Sequence, residues 1–449
     1  MKWTPHKYQM DAMKFMLKHP ESGMFLDPGE GKTSITLGTA SIRKQKKQIN
    51  GILVVATMKI LDHDVWPKEI AKWDFGFTHT ILHGKDKDKN LKKDVDVYLI
   101  NYEGLHWLSK NIKHLKADML VLDESSKVKS FRSARFKILK KMLSKFKYRH
   151  LLTGTPAAQS YMDLFSQIYV LDEGERLGRY ITHFRNEYFE PTGFKGYTYE
   201  LQKGAEKRLF KAISPIVYRT SVDHLKIPKE KYNDIILELP KKLMKQYVSL
   251  EEEFIAEFKN GTITAVNAGV MTQKLRQFAN GRIYDADRNI VSVHDLKKDA
   301  AIDYVEELQG NPTLIGYEFK HDLQALQEAF PKAAHIGSGV KKSESLRIEK
   351  AWNAGKIPVL IGQISVVAHG LNLQESGFNM MLYSHIYKLE DVIQFIRRLR
   401  RQGQKKRVIV TRLIIKDTID EHIIHVNQAG KARNQNSLLT AMKKRLINN

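Results

Sequence analysis

Short apolar runs that end in polar residues or glycine recur along the chain. The first group reads GMFLD, GILVVAT, DVYLINY, MLVLDE and HLLTGTP, and the second reads PTLIGYE, PVLIGQIS, NMMLYSH and RVIVTRLI. Such runs are typical of strands that are buried on both faces of a parallel sheet. Helix-like segments such as RSARFKILKKMLSKF and HDLQALQEAF lie between them. The alternation predicts an α/β fold with doubly wound parallel sheets.

The two groups of runs are separated by a stretch, about 157–298, whose pattern is helical and charged. Its plainest amphipathic helix is KKLMKQYVSLEEEFIAEFKNG. We predict two lobes, residues 1–225 and 226–449, with helical insertions between them and a linker near HLKIPKEKYNDI. The basic last stretch, NQAGKARNQNSLLTAMKKRLINN, is either a solvated helix or a further contact for an anion.

The charge balance points to a polyanionic partner. The 449 residues include 74 Lys+Arg against 50 Asp+Glu, which gives a net charge of +24. Nucleic acid is the first candidate, and an anionic membrane surface is the rival. We expect no membrane span and no export signal, and therefore a cytoplasmic protein. With 0 Cys, disulfides, thiolate zinc sites and cysteine nucleophiles are excluded.

The segment FLDPGEGKTSIT has most parts of a phosphate-binding loop, although Leu26 stands where the pattern G-x-x-x-x-G-K-[ST] has glycine. Gly29 and Gly31 allow backbone N–H groups to turn towards an anion, Lys32 can reach the terminal phosphates, and the Thr33 hydroxyl can bind magnesium. A strand before the loop and a helix after it would place the phosphates at a helix N-terminus. A plain glycine turn is the alternative for this segment alone.

Polar residues also follow two other predicted strands, and ligands of α/β sheets bind at such strand ends. In MLVLDESS, Asp123 could hold magnesium while Glu124 deprotonates the attacking water. The alternative is an acidic pair that caps a helix. In HLLTGTP, Thr153, Gly154 and Thr155 could sense a phosphate and relay its presence to a second surface, and an ordinary turn is the alternative.

The segment QFIRRLRRQGQ is rich in arginine. On a helix, Gln394, Arg398 and Arg401 would share one face, with Arg397 and Arg400 turned aside. Two guanidinium groups on one stripe suit an arginine finger that stabilises charge on a transferring phosphoryl group. A solvated basic helix is the alternative.

In this order, the segments resemble motifs of the superfamily-two helicases and translocases, and within them of the Swi/Snf-like branch. The matches are YQMDAM for the adenine-reading motif, DPGEGKT for motif I, VVATMKIL with VWPKEIAKW for motif Ia, LINYEGL for the next DNA-side motif, LDESS for motif II, LLTGTP for motif III, HGLNLQ for motif V and QFIRRLRRQGQ for motif VI. TQKLRQFANG and VYRTSVDHL resemble connecting segments of the branch. The departures are Leu26, Pro28 and Glu30 in motif I, Thr57 in place of a proline and Ser126 in place of a histidine. Motif V also lacks its usual run of small residues.

The resemblance implies two RecA-like lobes with ATP and Mg²⁺ in a cleft between them and DNA across their top. The nucleotide contacts that it implies are Gln9, Gly29, Glu30, Gly31, Lys32, Thr33, Ser34, Asp123 and Gln394, with Thr33 and Asp123 at the metal. The residues that it implies for the chemistry are Lys32, Glu124, Arg398 and Arg401. The DNA contacts that it implies are Thr57, Lys59, Asn101, Tyr102, Gly370 and Asn372, and the coupling residues are Thr153, Gly154 and Thr155.

The function that we predict is that of an ATP-hydrolysing motor on duplex or branched DNA, in replication, repair or recombination. The compact form and short motifs resemble phage or bacterial members, branch-migration helicases included. A strand-separating DNA or RNA helicase is one alternative. A non-hydrolysing scaffold that binds nucleic acid is an alternative of another class. DNA is the expected partner, without base specificity, and a monomer is favoured.

Overall fold

The computed structural model divides the chain into two units, Met1–Lys226 and Ile227–Asn449. The residues that it describes are 3–27, 29–62, 64–154, 156–157, 160–192, 198–219, 228–259, 265–285, 287–368, 370–401 and 403–428. Each unit is built on one parallel sheet.

The first unit contains most of the predicted phosphate-binding features. Its strands are β1 (Glu21–Phe25), β2 (Ile52–Ala56), β3 (His79–Ile81), β4 (Val97–Asn101), β5 (Met119–Asp123), β6 (Tyr148–Thr153), β7 (Phe189–Thr192), β8 (Thr198–Leu201) and β9 (Val217–Arg219). Its helices are α1 (Lys7–Lys18), α2 (Lys32–Gln45), α3 (Met58–Asp62), α4 (Val65–Lys72), α5 (Lys87–Leu91), α6 (Leu105–Asn111), α7 (Ala134–Met142), α8 (Leu164–Asp172), α9 (Ile181–Tyr188) and α10 (Ala205–Ile213).

The second unit contains the arginine-rich segment. Its strands are β10 (Lys231–Leu237), β11 (Arg282–Tyr284), β12 (Ile290–Ser292), β13 (Thr313–Tyr317), β14 (Ala334–Ile336), β15 (Val359–Gln363), β16 (Asn379–Leu382) and β17 (Ile409–Ile415). Its helices are α11 (Lys241–Lys259), α12 (Ala265–Ala279), α13 (Leu296–Glu307), α14 (Lys320–Ala329), α15 (Lys342–Asn353), α16 (Ile364–Val367), α17 (Leu389–Ile396) and α18 (Ile419–Gln428).

The two large sheets are parallel throughout. The first has the strand order β3-β4-β2-β5-β6-β1-β9, and the second has β10-β17-β16-β13-β15-β14. Along β2, Leu53 and Val55 pack into one apolar cluster while Val54 and Ala56 pack into another, so both faces of the first sheet are covered. The same alternation along the central strands explains why their sequences read as continuous apolar runs. The predicted α/β fold with two doubly wound parallel sheets is confirmed.

The stretch between the two groups of runs differs from the prediction. It contains helices, but also two antiparallel hairpins, β7–β8 and β11–β12. The predicted linker ends in an edge strand, since β10 pairs in parallel with β17 from Lys231 opposite Ile409. Most of β10 is exposed, which explains why its sequence resembles a linker. The residues after Gln428, with most of the basic last stretch, lie outside the described residues. No described helix has the length and apolarity of a membrane span.

Candidate active site

The loop between β1 and α2 takes its shape from two glycines. Gly29 and Gly31 have φ angles of 91° and 76°, in the left-handed region that favours glycine. A Cβ atom on Gly31 would also lie 2.5 Å from Nε2 of Gln9, so the approach of α1 leaves no room for a side chain there. Both glycines of the predicted phosphate loop are therefore required by its backbone.

Two of the three departures in this loop, Leu26 and Glu30, have internal roles, and the third, Pro28, lies outside the described residues. Leu26 is buried in the apolar cluster beneath α2. The Glu30 carboxylate accepts a hydrogen bond from the Asp27 N–H at 2.6 Å, and the Glu30 carbonyl accepts from Tyr8 Oη at 3.1 Å and Gln9 Nε2 at 3.3 Å. Burial, reinforced by the Glu30 charge, raises the pKa of Tyr8 to about 12. Glu30 thus stabilises the loop through hydrogen bonds within it, and Gln9 of α1 bonds to the Glu30 carbonyl.

The start of α2 carries the predicted phosphate and metal ligands. Lys32 is the first residue of the helix, and its Nζ donates to the carbonyls of Leu26 at 2.9 Å and Asp27 at 3.2 Å. Thr33 follows it. Ser34, also predicted at the nucleotide, donates from Oγ to Glu69 Oε2 of α4 at 2.9 Å, which fixes α4 beside the loop.

The two adjacent carboxylates lie at the end of β5, where Asp123 is the last residue of the strand and Glu124 follows it. Asp123 is buried, and its Oδ2 accepts a hydrogen bond from Nε1 of Trp66 at 2.9 Å. Burial raises the pKa of Asp123, while the Trp66 hydrogen bond and the charge of Lys32 act in the opposite direction. Since Lys32 acts on Asp123, the structure brings motifs I and II together. Trp66 was not predicted as a site residue, although its segment, VWPKEIAKW, matched motif Ia.

Glu124 has a left-handed backbone, with φ 56° and ψ 58°. This conformation is uncommon for residues other than glycine, and it occurs most often at functional sites, where surrounding contacts impose it. The hydroxyl of Tyr102 donates to the carbonyl of Asp123 at 2.9 Å and lies 3.3 Å from that of Glu124. Burial and both carboxylates raise the pKa of Tyr102, so its hydroxyl remains a donor. The buried side chain of Tyr102 does not fit the predicted DNA contact and supports motif II instead.

A third strand, β6, lies between β1 and β5. Its register pairs Phe25 with Thr153 and Asp123 with Leu152, so the ends of the three strands are level at one edge of the sheet. Thr153 is buried at this edge, and Gly154 follows it. Thr155 lies outside the described residues. Motifs I, II and III therefore meet at one edge of the first unit.

Magnesium fits this group of residues. The described residues include no cluster of at least three His, Cys, Asp or Glu side chains suited to a metal. Mg²⁺ that is brought with a nucleotide takes only one or two protein carboxylates, because phosphate oxygens and water complete its shell. The Asp123 carboxylate and the Thr33 hydroxyl are oxygen ligands of the required kind.

Of the other predicted DNA contacts in this unit, Thr57 directly precedes α3, and its carbonyl accepts from Leu61 N at 3.2 Å. Lys59 lies on α3, and its side chain is outside the described atoms. Asn101 is largely buried at the end of β4, and its Nδ2 donates to Glu103 Oε2 at 3.0 Å.

In the second unit, the arginine-rich segment is not one continuous helix. The helix α17 ends at Ile396, so Arg398 and Arg401 lie in the turns that follow it, and the predicted common helical face is wrong. The reason is that Arg398 folds inwards: its guanidinium donates to Leu371 O at 2.7 Å and to Gln394 O and Oε1, both at 3.2 Å. Arg400 turns to the start of β10, with its Nε 3.1 Å from Glu230 Oε2.

Motifs V and VI form one hydrogen-bonded group in the second unit. Arg401 donates a hydrogen bond to Oδ1 of Asn372. This bond is exposed, whereas the bonds of Arg398 are buried. The helix α15 supports the same loop, because Glu349 Oε1 accepts from Asn372 N at 2.9 Å and Asn353 Nδ2 donates to Asn372 O at 2.7 Å. Gly370 begins the loop with φ 89°. No sequence motif pointed to α15.

Comparison with known proteins assigns the chain to a family. Residues 8–282 match the model of the SNF2-related domain. The chain belongs to the SNF2-related family. This confirms the resemblance to the Swi/Snf-like branch and makes the protein an ATP-hydrolysing enzyme of the helicase-like class.

Relatives of this SNF2-related protein differ widely in length. It is 31% identical to protein p41 of Acyrthosiphon pisum secondary endosymbiont phage 1, over 99% of both chains. It is 22% identical to the ISWI chromatin-remodeling complex ATPase ISW2 of Saccharomyces cerevisiae, over 93% of this chain but 39% of that protein. It is 24% identical to the ATP-dependent helicase MG018 of Mycoplasma genitalium, over 98% of this chain and 42% of that protein. The Sulfolobus solfataricus SWI2/SNF2 ATPase core, solved in complex with dsDNA, is 22% identical over 96% of this chain and 92% of that one, with a TM-score of 0.48.

Proposed function

We propose that this protein is an ATP-driven translocase on duplex or branched DNA that acts in replication, repair or recombination, with branch migration as the specific task. The observation that supports this most is the meeting of Lys32, Asp123 and Glu124 at one edge of the first sheet, because these groups can bind the phosphates and metal of a nucleoside triphosphate and activate the attacking water. The +24 net charge supports a nucleic-acid track.

Within this proposal, each residue has one task. Lys32 neutralises the terminal phosphates, and Thr33 and Asp123 hold Mg²⁺, which spreads the negative charge of the phosphates when bound. Glu124 takes the proton of the attacking water. Arg401 is the better candidate for an arginine finger, since Arg398 is buried against carbonyl oxygens of Leu371 and Gln394 whereas Arg401 bonds to Asn372 at an exposed position. Arg398 then acts by holding that loop.

The contacts with DNA are expected on phosphates rather than on bases. Asn372 and Gly370 in the second unit and Thr57 and Lys59 in the first offer short polar groups, backbone amides and one charge, which suit tracking along a backbone. Affinity for duplex DNA should therefore fall steeply with salt and change little with sequence. A flat salt response or a strong preference for one sequence would contradict this.

The test of the ATPase site is the substitution Glu124→Gln. Phosphate release with saturating DNA should fall about 100-fold or more, while ATP still binds, because only the base is removed. Glu175→Gln is the matched control, since this glutamate is exposed on the same unit and its side chain is 74% accessible. Near-normal turnover of the Glu124 variant would overturn its role.

The test of the DNA activity compares substrates at equal protein and ATP concentrations. Duplex and four-way DNA should stimulate the ATPase more than single strands do, a third strand should be displaced from a triplex, and a four-way junction should be converted more readily than a blunt duplex is unwound. Efficient unwinding of a simple duplex without activity on junction or triplex would instead establish a strand-separating helicase.

A further inference from the structure

The helix α8 begins shortly after motif III, and one of its side chains bonds to both motif II and motif III. Gln167 is completely buried. Its Oε1 accepts a hydrogen bond from Ser125 Oγ at 2.8 Å, and its Nε2 donates to the carbonyls of Pro156 at 2.6 Å and Asp163 at 2.8 Å. One amide thus connects the residue that follows Glu124 to the segment that follows β6.

The chemistry of an amide makes this connection directional. Only the amide nitrogen can donate to two carbonyls, so the oxygen must face Ser125. The hydrogen bond from Ser125 is buried, and the two bonds to the carbonyls are partly buried. Losing the buried bond leaves a polar group without water. Neither a leucine nor a glutamate of similar size could make the same set of bonds at Gln167.

The residue before Ser125 is the strained one. Glu124 keeps a left-handed backbone although it has a Cβ atom, and such a conformation persists only where neighbouring contacts impose it. The Lys127 N–H donates to the carbonyl of Glu124 at 3.0 Å, and the Tyr102 hydroxyl donates to the carbonyl of the preceding residue, Asp123, at 2.9 Å. The bond from Ser125 to Gln167 fixes the chain on the other side of Glu124.

We propose that Gln167 is a positioning residue of the ATPase reaction, which holds Glu124 in its left-handed conformation and passes movement of the motif III segment to that carboxylate. This inference rests on the proposed role of Glu124 as the base. It assigns to Gln167 a connection between the state of motif III and the orientation of the base, so its loss should affect turnover and not nucleotide binding.

The experiment compares Gln167→Leu and Ser125→Ala with the control Ser166→Ala. Ser166 is the adjacent buried residue of α8, and its Oγ donates to Lys129 O at 3.1 Å, so the control also removes a partly buried bond between α8 and the chain after motif II. For each variant we would measure thermal stability, the affinity for a fluorescent ATP analogue, and kcat and KM with and without duplex DNA.

Gln167→Leu and Ser125→Ala should each lower DNA-stimulated kcat about tenfold or more, with KM and analogue affinity within about twofold of the parent. The double variant should be no worse than Gln167→Leu alone, because both changes break one connection. Ser166→Ala should keep its stimulation by DNA. If Gln167→Leu fails to fold, Ser125→Ala, which removes one hydroxyl, decides the question.

Normal stimulated turnover in both variants, or losses that multiply in the double variant, would overturn the inference. So would a loss in Ser166→Ala equal to that in Gln167→Leu, because the effect would then be a general loosening of α8. Glu124→Gln separates this failure from that of the proposed function. If Glu124→Gln is inactive and Gln167→Leu is normal, only the role of Gln167 is wrong; if Glu124→Gln is active, the assignment of the base is wrong.

Discussion

The two arginines of motif VI should fail in different ways when replaced by alanine. Arg398 is 8% exposed and makes three hydrogen bonds to Leu371 and Gln394. Arg398→Ala leaves these neutral oxygen acceptors without their donor, which should lower the free energy of unfolding by about 1–3 kcal/mol. Arg401 bonds to the side chain of Asn372 at an accessible position, and we expect a loss of about 0.5–1 kcal/mol there.

For a unit of this size, the larger loss corresponds to a fall in Tm of about 6 °C for the second unit, and the smaller one to about 2 °C. Calorimetry would measure the Tm. Hydrogen exchange would follow the motif V loop around Leu371, which Arg398→Ala should expose and Arg401→Ala should leave protected. Both variants should lose turnover in an ATPase assay, but only Arg401→Ala should do so in a fully stable protein. Equal Tm values for the two variants would refute the assignment of Arg398 as a support of motif V.

Three more substitutions test single contacts. Tyr102→Phe should reduce the free energy of unfolding by about 1 kcal/mol and slow DNA-stimulated ATP turnover. Its DNA affinity in a binding titration should be unchanged, and a change in DNA affinity alone would support the predicted DNA contact instead. Burial lowers the pKa of His150 to about 3, so between pH 7 and pH 5 its imidazole binds a proton only when the protein unfolds. From pH 7 to pH 5 the free energy of unfolding of the parent should therefore fall by about 2 kcal/mol because of this histidine. The free energy of unfolding of His150→Asn in urea should depend less on pH, and an equal dependence would contradict the reasoning. Gly31→Ala should weaken binding of a fluorescent ATP analogue, because the new methyl group meets Gln9 in a strained backbone; unchanged affinity would contradict this.

The sequence was sufficient for the strands and for the glycine-shaped loop between β1 and α2. Buried parallel strands such as β2 and β5 are continuous apolar runs, and the polar residues that end them are the ones that meet at the sheet edge. It was not sufficient for α17, because the spacing of Arg398 and Arg401 fits a helix while the bonds of Arg398 to Leu371 end it. These bonds join residues far apart in sequence, which periodicity does not reveal.

Burial of polar side chains was the other property that the sequence did not reveal. Tyr102 lies in a segment that resembles a DNA-side motif, yet its hydroxyl reaches the backbone of motif II. Trp66 lies on α4 and Gln167 on α8, a helix that is buried along almost its whole length, and their polar atoms became informative only when their partners were located. β10 was read as a linker since an exposed edge strand has little apolar character.

The position of β6 sets the size of the group that the candidate site can accept. If β1 and β5 were neighbours, the phosphate loop and the carboxylates would start about 5 Å apart, which is enough for a salt bridge between Lys32 and an acid. With one strand between them the separation is about 10 Å, the width of a phosphoryl group together with a metal ion and its oxygen ligands. The intervening strand therefore sets the loop and the carboxylates one further strand spacing apart, and its last residue, Thr153, lies between the ends of β1 and β5.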